Sequence, residues 1–114
     1  MSQTTALVLS IAIEAVIAFA LVRGLSWGSG LHAAAAAAVG TLVTHPFAWH
    51  GISRLEGVIG YGSAVAVVET GVVLAESIAY RLIVPLAWRR ALIASLIANA
   101  ASTAAGLLYY ALFA

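Results

Sequence analysis

Hydrophobic residues run along the chain in four long stretches separated by short polar or glycine-rich breaks. A membrane-spanning helix needs about 20 mostly apolar residues. The four stretches meet that length and predict spans at about residues 5–22, 31–49, 58–84 and 88–113. The glycines from Gly24 to Gly30 end the first span, and a polar turn over residues 51–57 separates the second from the third. Pro85 ends the third because proline lacks an amide hydrogen.

The stretches are continuously apolar and rich in alanine, which favours helices over the alternating strands of a transmembrane barrel. Connections this short make sequential helices antiparallel neighbours. We therefore expect an all-α fold, an integral membrane four-helix bundle that forms a single transmembrane domain over residues 1–114.

The composition is also typical of a membrane protein, and it argues against several functions. Of 114 residues, 64% are hydrophobic and 8% are charged, whereas soluble domains have about 45–50% apolar and about 25% charged residues. The net charge of +1 provides no basic patch for nucleic acid, so we expect the lipid bilayer as partner and no nucleic acid. The chain has no cysteine, no aspartate and no phosphate-binding or metalloprotease motif, and we therefore expect no enzyme activity, no cofactor and no metal site.

The five arginines predict the orientation in the membrane. Arg23 flanks the first loop, and Arg81, Arg89 and Arg90 flank the third, whereas only Arg54 lies in the second. The positive-inside rule places the loops with the excess of arginine in the cytoplasm. We expect both termini outside the cytoplasm, with the protein in a bacterial inner membrane.

The two halves of the chain resemble each other. Each has a helix with a central glutamate (Glu14 or Glu76), an arginine-bearing loop, and a return helix with central polar residues (around Thr41 or Asn99). Two-helix repeats of this kind are related by an axis along the membrane normal. We expect two duplicated helical hairpins; the alternative is that any two alanine-rich hairpins look similar.

Two elements resemble small bacterial four-helix membrane proteins of unassigned activity. They are THPxxW, from Thr44 to Trp49, and RRALxxSLxAN, from Arg89 to Asn99. This resemblance implies the fold and the repeat but no activity. By analogy only, the length, the four helices and the position of Glu14 are similar to the small multidrug-resistance transporters, which typically have one membrane carboxylate where this chain has three.

Three glutamates fall inside predicted spans, where a charged side chain costs about 2.5–3.5 kcal/mol. A rise of about 1.5 Å per residue sorts the polar residues by depth. A layer near the midplane takes one residue from each helix: Glu14, Thr41, Glu76 and Asn99. A second layer, further from the arginine-bearing loops, contains Thr44, His45, Glu69, Ser102 and Thr103.

These layers support two functions. A carboxyl can bind a cation and release a proton, which favours a proton- or cation-coupled carrier or channel component whose candidate binding residues are Glu14, Glu69, Glu76, Asn99, Thr41 and His45. The alternative is a non-catalytic accessory or assembly subunit of a larger membrane complex, in which the same groups only hydrogen-bond the helices together. Four short helices barely enclose a pathway, so we expect a homo-oligomer or a partner membrane subunit.

Small residues recur every four positions on the last two helices. The two stripes are Gly71, Ala75 and Ala79 on the third helix and Ala94, Ala98, Ser102 and Gly106 on the fourth. Such stripes let helix backbones approach closely. They predict that the third and fourth helices pack tightly, or that one stripe faces another subunit.

Overall fold

A computed structural model describes residues 2–113, and four α-helices make up the fold of this part of the chain. They are α1 (Gln3–Gly24), α2 (Gly30–Ile59), α3 (Tyr61–Ile83) and α4 (Trp88–Phe113). Each is long and apolar enough to span a membrane. The predicted all-α four-helix bundle is confirmed.

The helices form a closed ring in chain order. α2 packs between α1 and α3, and α4 completes the ring by packing against α1 and α3. The long axis of the bundle measures 41 Å, more than the hydrocarbon thickness of about 30 Å. The helix ends therefore reach the interfacial regions.

Serine side chains start the first two helices. The hydroxyl of Ser2 accepts a hydrogen bond from the Thr5 amide, and that of Ser29 accepts one from the His32 amide. Each bond satisfies one of the amide groups left unpaired at a helix N-terminus.

The two arginine-bearing loops meet at one end of the bundle, which we call the arginine end. The Arg90 guanidinium lies 5.3 Å from the ring centroid of Trp27 in the other loop, and the Arg81 guanidinium lies 5.4 Å from that of Trp88. Arg81 also donates a hydrogen bond to the Leu86 carbonyl at 3.0 Å. Tryptophan is typical of membrane interfaces, so these contacts mark one interface.

The predicted polar turn over residues 51–57 is wrong, because α2 continues through Pro46 to Ile59 and the chain reverses at Gly60. Gly60 has a φ of 85°, a left-handed conformation that glycine adopts without a steric penalty. Ser53 donates its hydroxyl to the Trp49 carbonyl one turn earlier, which keeps its polar group satisfied inside the helix. At 30 residues, α2 is about 45 Å long, so its polar last turns can lie outside the hydrocarbon.

The half of the bundle nearest the arginine end is filled by small side chains. Its fully buried alanines are Ala18, Ala33, Ala36, Ala37, Ala91 and Ala94. Tyr80, Val22 and Leu86 fill the space between them. Because alanines let the backbones approach closely, this half is tightly packed.

The two small-residue stripes face different environments. On α4, Ala94 and Ala98 are fully buried and turn into the bundle. On α3, Gly71 and Ala75 are exposed and line a lipid-facing groove beside Phe47 of α2. The two stripes therefore do not pack against each other, since the face of α3 turned into the bundle carries Glu76 and Tyr80 instead.

Candidate functional site

Two carboxyls from different helices meet at one threonine. Glu14 of α1 and Glu76 of α3 are 2% and 1% exposed. The Thr41 hydroxyl oxygen of α2 lies 3.2 Å from Glu14 Oε1 and 3.0 Å from Glu76 Oε1. The prediction that both carboxyls point into the bundle is confirmed.

The hydrogen count of this cluster limits its charge. A threonine hydroxyl has one hydrogen to donate and two lone pairs that accept. Thr41 therefore donates to one carboxyl, and its contact with the other is a hydrogen bond only if that carboxyl is protonated and donates to Thr41. The two Oε1 atoms also lie within about 6 Å of each other, where like charges disfavour joint ionisation. The geometry fits one proton or one small cation shared by the two carboxyls.

A small polar cavity of about 40 Å³ lies beside this cluster, which is room for about one water molecule. It is lined by Ser10, Glu14, Thr41, Thr44, His45, Ala48, Glu69, Val72, Glu76, Asn99 and Ser102. Among the described residues, no arginine lines this cavity. Glu76 Oε2 is buried with no hydrogen-bond partner among the described residues, although nearly all buried polar atoms have one. Glu76 Oε2 is thus a buried acceptor beside the cavity that receives no hydrogen bond from the described residues.

Asn99 completes the midplane layer but turns its amide to its own helix. Its Nδ2 donates to the Ser95 carbonyl at 2.8 Å. Ser95 in turn donates its hydroxyl to the Val73 carbonyl of α3 at 2.7 Å. The predicted layer of four residues is therefore present around one cavity, with Thr41 as the residue that joins the carboxyls and Ser95 as the one that joins α4 to α3.

Gly40 is a residue of the site that the sequence reasoning missed. A Cβ at this position would lie 3.0 Å from Glu76 Cγ and 3.3 Å from Glu76 Oε1. Glycine within a helix costs about 0.5–1 kcal/mol relative to alanine. The glycine beside the polar midplane residue Thr41 is therefore a sequence signal that another helix comes close to α2 at this depth. Ser10, one turn before Glu14, was also missed, although its spacing of four places it on the same helix face.

Four of the five residues of the second predicted layer also line the cavity, whereas Thr103 lines only two larger cavities beside it. His45 and Glu69 are half-buried and line it together with Ser102. The His45 ring packs at 5.9 Å from the Trp49 ring, and its buried Nε2 has no hydrogen-bond partner among the described residues. Within residues 2–113, no group of three or more potential metal-ligating side chains is found.

The polar cavity continues toward the end of the bundle opposite the arginine end. A vestibule of about 150 Å³ shares His45, Glu69 and Ser102 with it and extends to Trp49 and Tyr110. Toward the arginine end, the cluster is followed by fully buried alanines and by Tyr80, one turn beyond Glu76 and 1% exposed. The Tyr80 hydroxyl has no hydrogen-bond partner among the described residues. The site therefore opens toward one end and is sealed toward the other.

An apolar groove of about 350 Å³ opens toward lipid between α3 and α4. Val65, Val73 and Leu96 lie along it, and it touches the polar cavity at Glu69 and Asn99. These two side chains therefore border both the groove and the polar cavity.

Comparison of the chain with protein-family models, curated proteins and solved structures found no match.

Proposed function

We propose that this chain is a small polytopic membrane protein that binds and releases a proton or a small cation at Glu14 and Glu76, as a proton- or cation-coupled carrier or channel component. One observation carries the proposal: two fully buried carboxyls from different helices share the Thr41 hydroxyl beside a polar cavity. The binding event is non-covalent, so the proposed role is not enzymatic and involves no cofactor.

The chemistry of the cluster supports a binding role over a purely structural one. A hydrogen bond between membrane helices contributes about 0.6 kcal/mol, and glutamine would form it without the cost of ionisation. A cluster built only to hold helices together would pair its buried oxygens, whereas Glu76 Oε2 is unpaired. Carboxylate, hydroxyl and amide oxygens are also the ligands that hard cations prefer.

A second function, an accessory or assembly subunit, is favoured by the outer surface. The groove between α3 and α4 and a second one between α2 and α3 are both apolar and open to lipid. Phe47, beside the second groove, is 77% exposed. A helix of a partner membrane subunit could fill either groove. The carrier function, in contrast, would need only further copies of this chain in a homo-oligomer.

The proposed setting is a bacterial inner membrane with the arginine end in the cytoplasm and both termini outside. The contact between Arg90 and Trp27 supports it, because this contact joins the two arginine-bearing loops at one end. Arg54 lies at the other end, on the last turns of α2. The equivalent placement of Glu14 on α1 and Glu76 on α3 supports an origin by duplication of a helical hairpin.

The test is proton exchange by the purified protein in proteoliposomes. We expect that an imposed pH gradient, or addition of sodium chloride as cation probe, produces a pH change in the lumen that Glu76→Gln abolishes. Glutamine keeps the shape and much of the hydrogen bonding of glutamate but does not titrate. Glu56→Gln is the matched control, because Glu56 is exposed near the end of α2.

Two outcomes contradict the proposal. Full retention of the response by a correctly inserted Glu76→Gln variant excludes Glu76 as the coupling site. Absence of any response from the unmutated protein, together with a stoichiometric membrane protein that co-purifies from native lipid, favours the accessory role.

A further inference from the structure

Among the described residues, Glu69 is the only one that lines all three of the cavities around it. It lines the polar cavity at Glu14 and Glu76, the vestibule that reaches Trp49 and Tyr110, and the apolar groove between α3 and α4. Its side chain is half-buried. A titratable group at this place borders both the vestibule and the polar cavity.

The vestibule adjoins the polar cavity beside the central carboxyls, and the two cavities share Ser10, His45, Ala48, Glu69 and Ser102. On the other side of the pair, toward the arginine end, Ala18, Ala37 and Ala94 are fully buried and Tyr80 fills the remaining space. Of the side chains shared by these two cavities, His45 and Glu69 are the titratable ones, so a proton that enters from the vestibule meets them before it meets Glu14 or Glu76.

The groups that face Glu69 are few and can be named. α2 contributes His45, whose Nε2 is buried without a partner, and α1 contributes Glu14. α3 contributes Glu76, two helical turns away, and Tyr61, which lines the vestibule. α4 contributes no charge to these cavities, only the uncharged side chains of Asn99, Ser102 and Thr103 and the rim residue Tyr110.

We propose that Glu69 is a relay carboxyl that carries protons between the vestibule and the Glu14–Glu76 pair, an inference that rests on the proposed function. In the inward step, protonated Glu69 gives its proton to the ionised member of the pair and becomes a carboxylate. A hydronium ion in the vestibule then returns a proton to Glu69 and leaves water. Release is the same sequence in reverse, so charge and protons balance at each step.

The spacing requires one bridging group. Seven residues separate Glu69 from Glu76, which is about 10 Å along the helix axis. The cavity between them has room for about one water molecule, and the unpaired Nε2 of His45 borders the same space. Either group can accept and pass on a proton over this distance.

The test is the rate of hydrogen–deuterium exchange at protonated carboxyls, followed by infrared spectroscopy after transfer of reconstituted protein into deuterated buffer. Glu69→Gln removes its own band, so the carboxyl band that remains belongs to the central pair. We expect this band to shift to the same final extent but roughly tenfold or more slowly, equivalent to at least about 1.4 kcal/mol of added barrier. Glu69→Asp, which retains a carboxyl, should restore much of the rate, and Glu56→Gln should leave it unchanged.

The outcomes separate the relay from the central site. Unchanged exchange in Glu69→Gln overturns the relay and leaves the Glu14–Glu76 site standing. Slowing of backbone amide exchange by the same factor overturns it as well, because a general tightening of the bundle would then explain the result. If the unmutated protein shows no exchangeable carboxyl proton, the proposed function fails together with the relay.

Discussion

Gly40 of α2 faces the side chain of Glu76 on α3 so closely that a Cβ at position 40 would lie 3.0 Å from Glu76 Cγ. The glycine therefore sets how near α2 comes to α3 at the depth of the carboxyl pair. Thr41, the next residue, reaches Glu76 Oε1 at 3.0 Å from the same stretch of backbone. The absence of a side chain at position 40 and the hydroxyl at position 41 together hold the Glu76 carboxyl in place.

We expect Gly40→Ala to displace the Glu76 carboxyl and to lower proton or cation binding, measured as the luminal pH response in proteoliposomes. The helix itself gains about 0.5–1 kcal/mol from alanine, so thermal unfolding should show little loss of stability. Gly71→Ala is the matched control, because nothing lies within 4 Å of a Cβ at position 71. Equal responses from the two variants would contradict the role of the close approach.

Thr41→Val should destabilise the bundle by about 1–3 kcal/mol, because the variant leaves buried carboxyl oxygens without their hydroxyl partner. Thr41→Ser keeps the hydroxyl and should unfold close to the unmutated protein. Thr70→Val provides the control on the exposed face of α3, where the hydroxyl bonds only to the Ala66 carbonyl of its own helix. Chemical unfolding in detergent measures all three, and a Thr41→Val variant as stable as Thr70→Val would show that the shared hydroxyl is not structural.

The proposed site predicts the sign of a pH effect. A cation that binds between Glu14 and Glu76 takes the place of a proton, so its apparent affinity should rise as pH rises and fall as pH falls. Titration with sodium at several pH values, with proton release recorded in parallel, measures this linkage. Affinity that is independent of pH, or that falls at high pH, would show that the cation does not compete with the proton.

Tyr80→Phe should leave stability unchanged or raise it by up to about 1 kcal/mol. The hydroxyl of Tyr80 is buried without a hydrogen-bond partner, and removal of an unsatisfied polar group relieves the cost of its desolvation. Tyr61→Phe is the control, since Tyr61 is 49% exposed. A clear fall in the unfolding temperature of Tyr80→Phe, without one in Tyr61→Phe, would mean that the Tyr80 hydroxyl forms a hydrogen bond in the protein as tested.

The proposed orientation predicts a labelling pattern. Cysteines placed at Ser2 and Ser53 should react with an impermeant thiol reagent in intact cells, and a cysteine at Ser26 should not. Ser26 lies in the loop between α1 and α2 at the arginine end, whereas the other two positions lie toward the opposite end. The reverse pattern would invert the topology while leaving the geometry of the site intact.

The sequence alone was sufficient to predict the class of fold and the depth of the polar residues. Apolar runs of about 20 residues predict spanning helices, and a constant rise of about 1.5 Å per residue sets the depth of each side chain along its helix. This is why Glu14, Thr41, Glu76 and Asn99 were predicted in one layer and surround one cavity in the structure. The end of α2 was mispredicted because polar residues such as Ser53 stop a hydrophobic pattern without stopping a helix.

Only the tertiary structure decided how the helices are rotated about their axes and how closely they approach. Rotation and approach depend on how side chains of neighbouring helices interlock, which no periodicity within one helix specifies. The shared hydroxyl of Thr41, the contact of Gly40 with Glu76 and the position of Glu69 at the junction of three cavities all follow from that packing. The stripe at Gly71 and Ala75 shows the same limit. Its spacing predicted either tight packing of the third and fourth helices or contact with another subunit, and the rotation of α3 turned it away from α4.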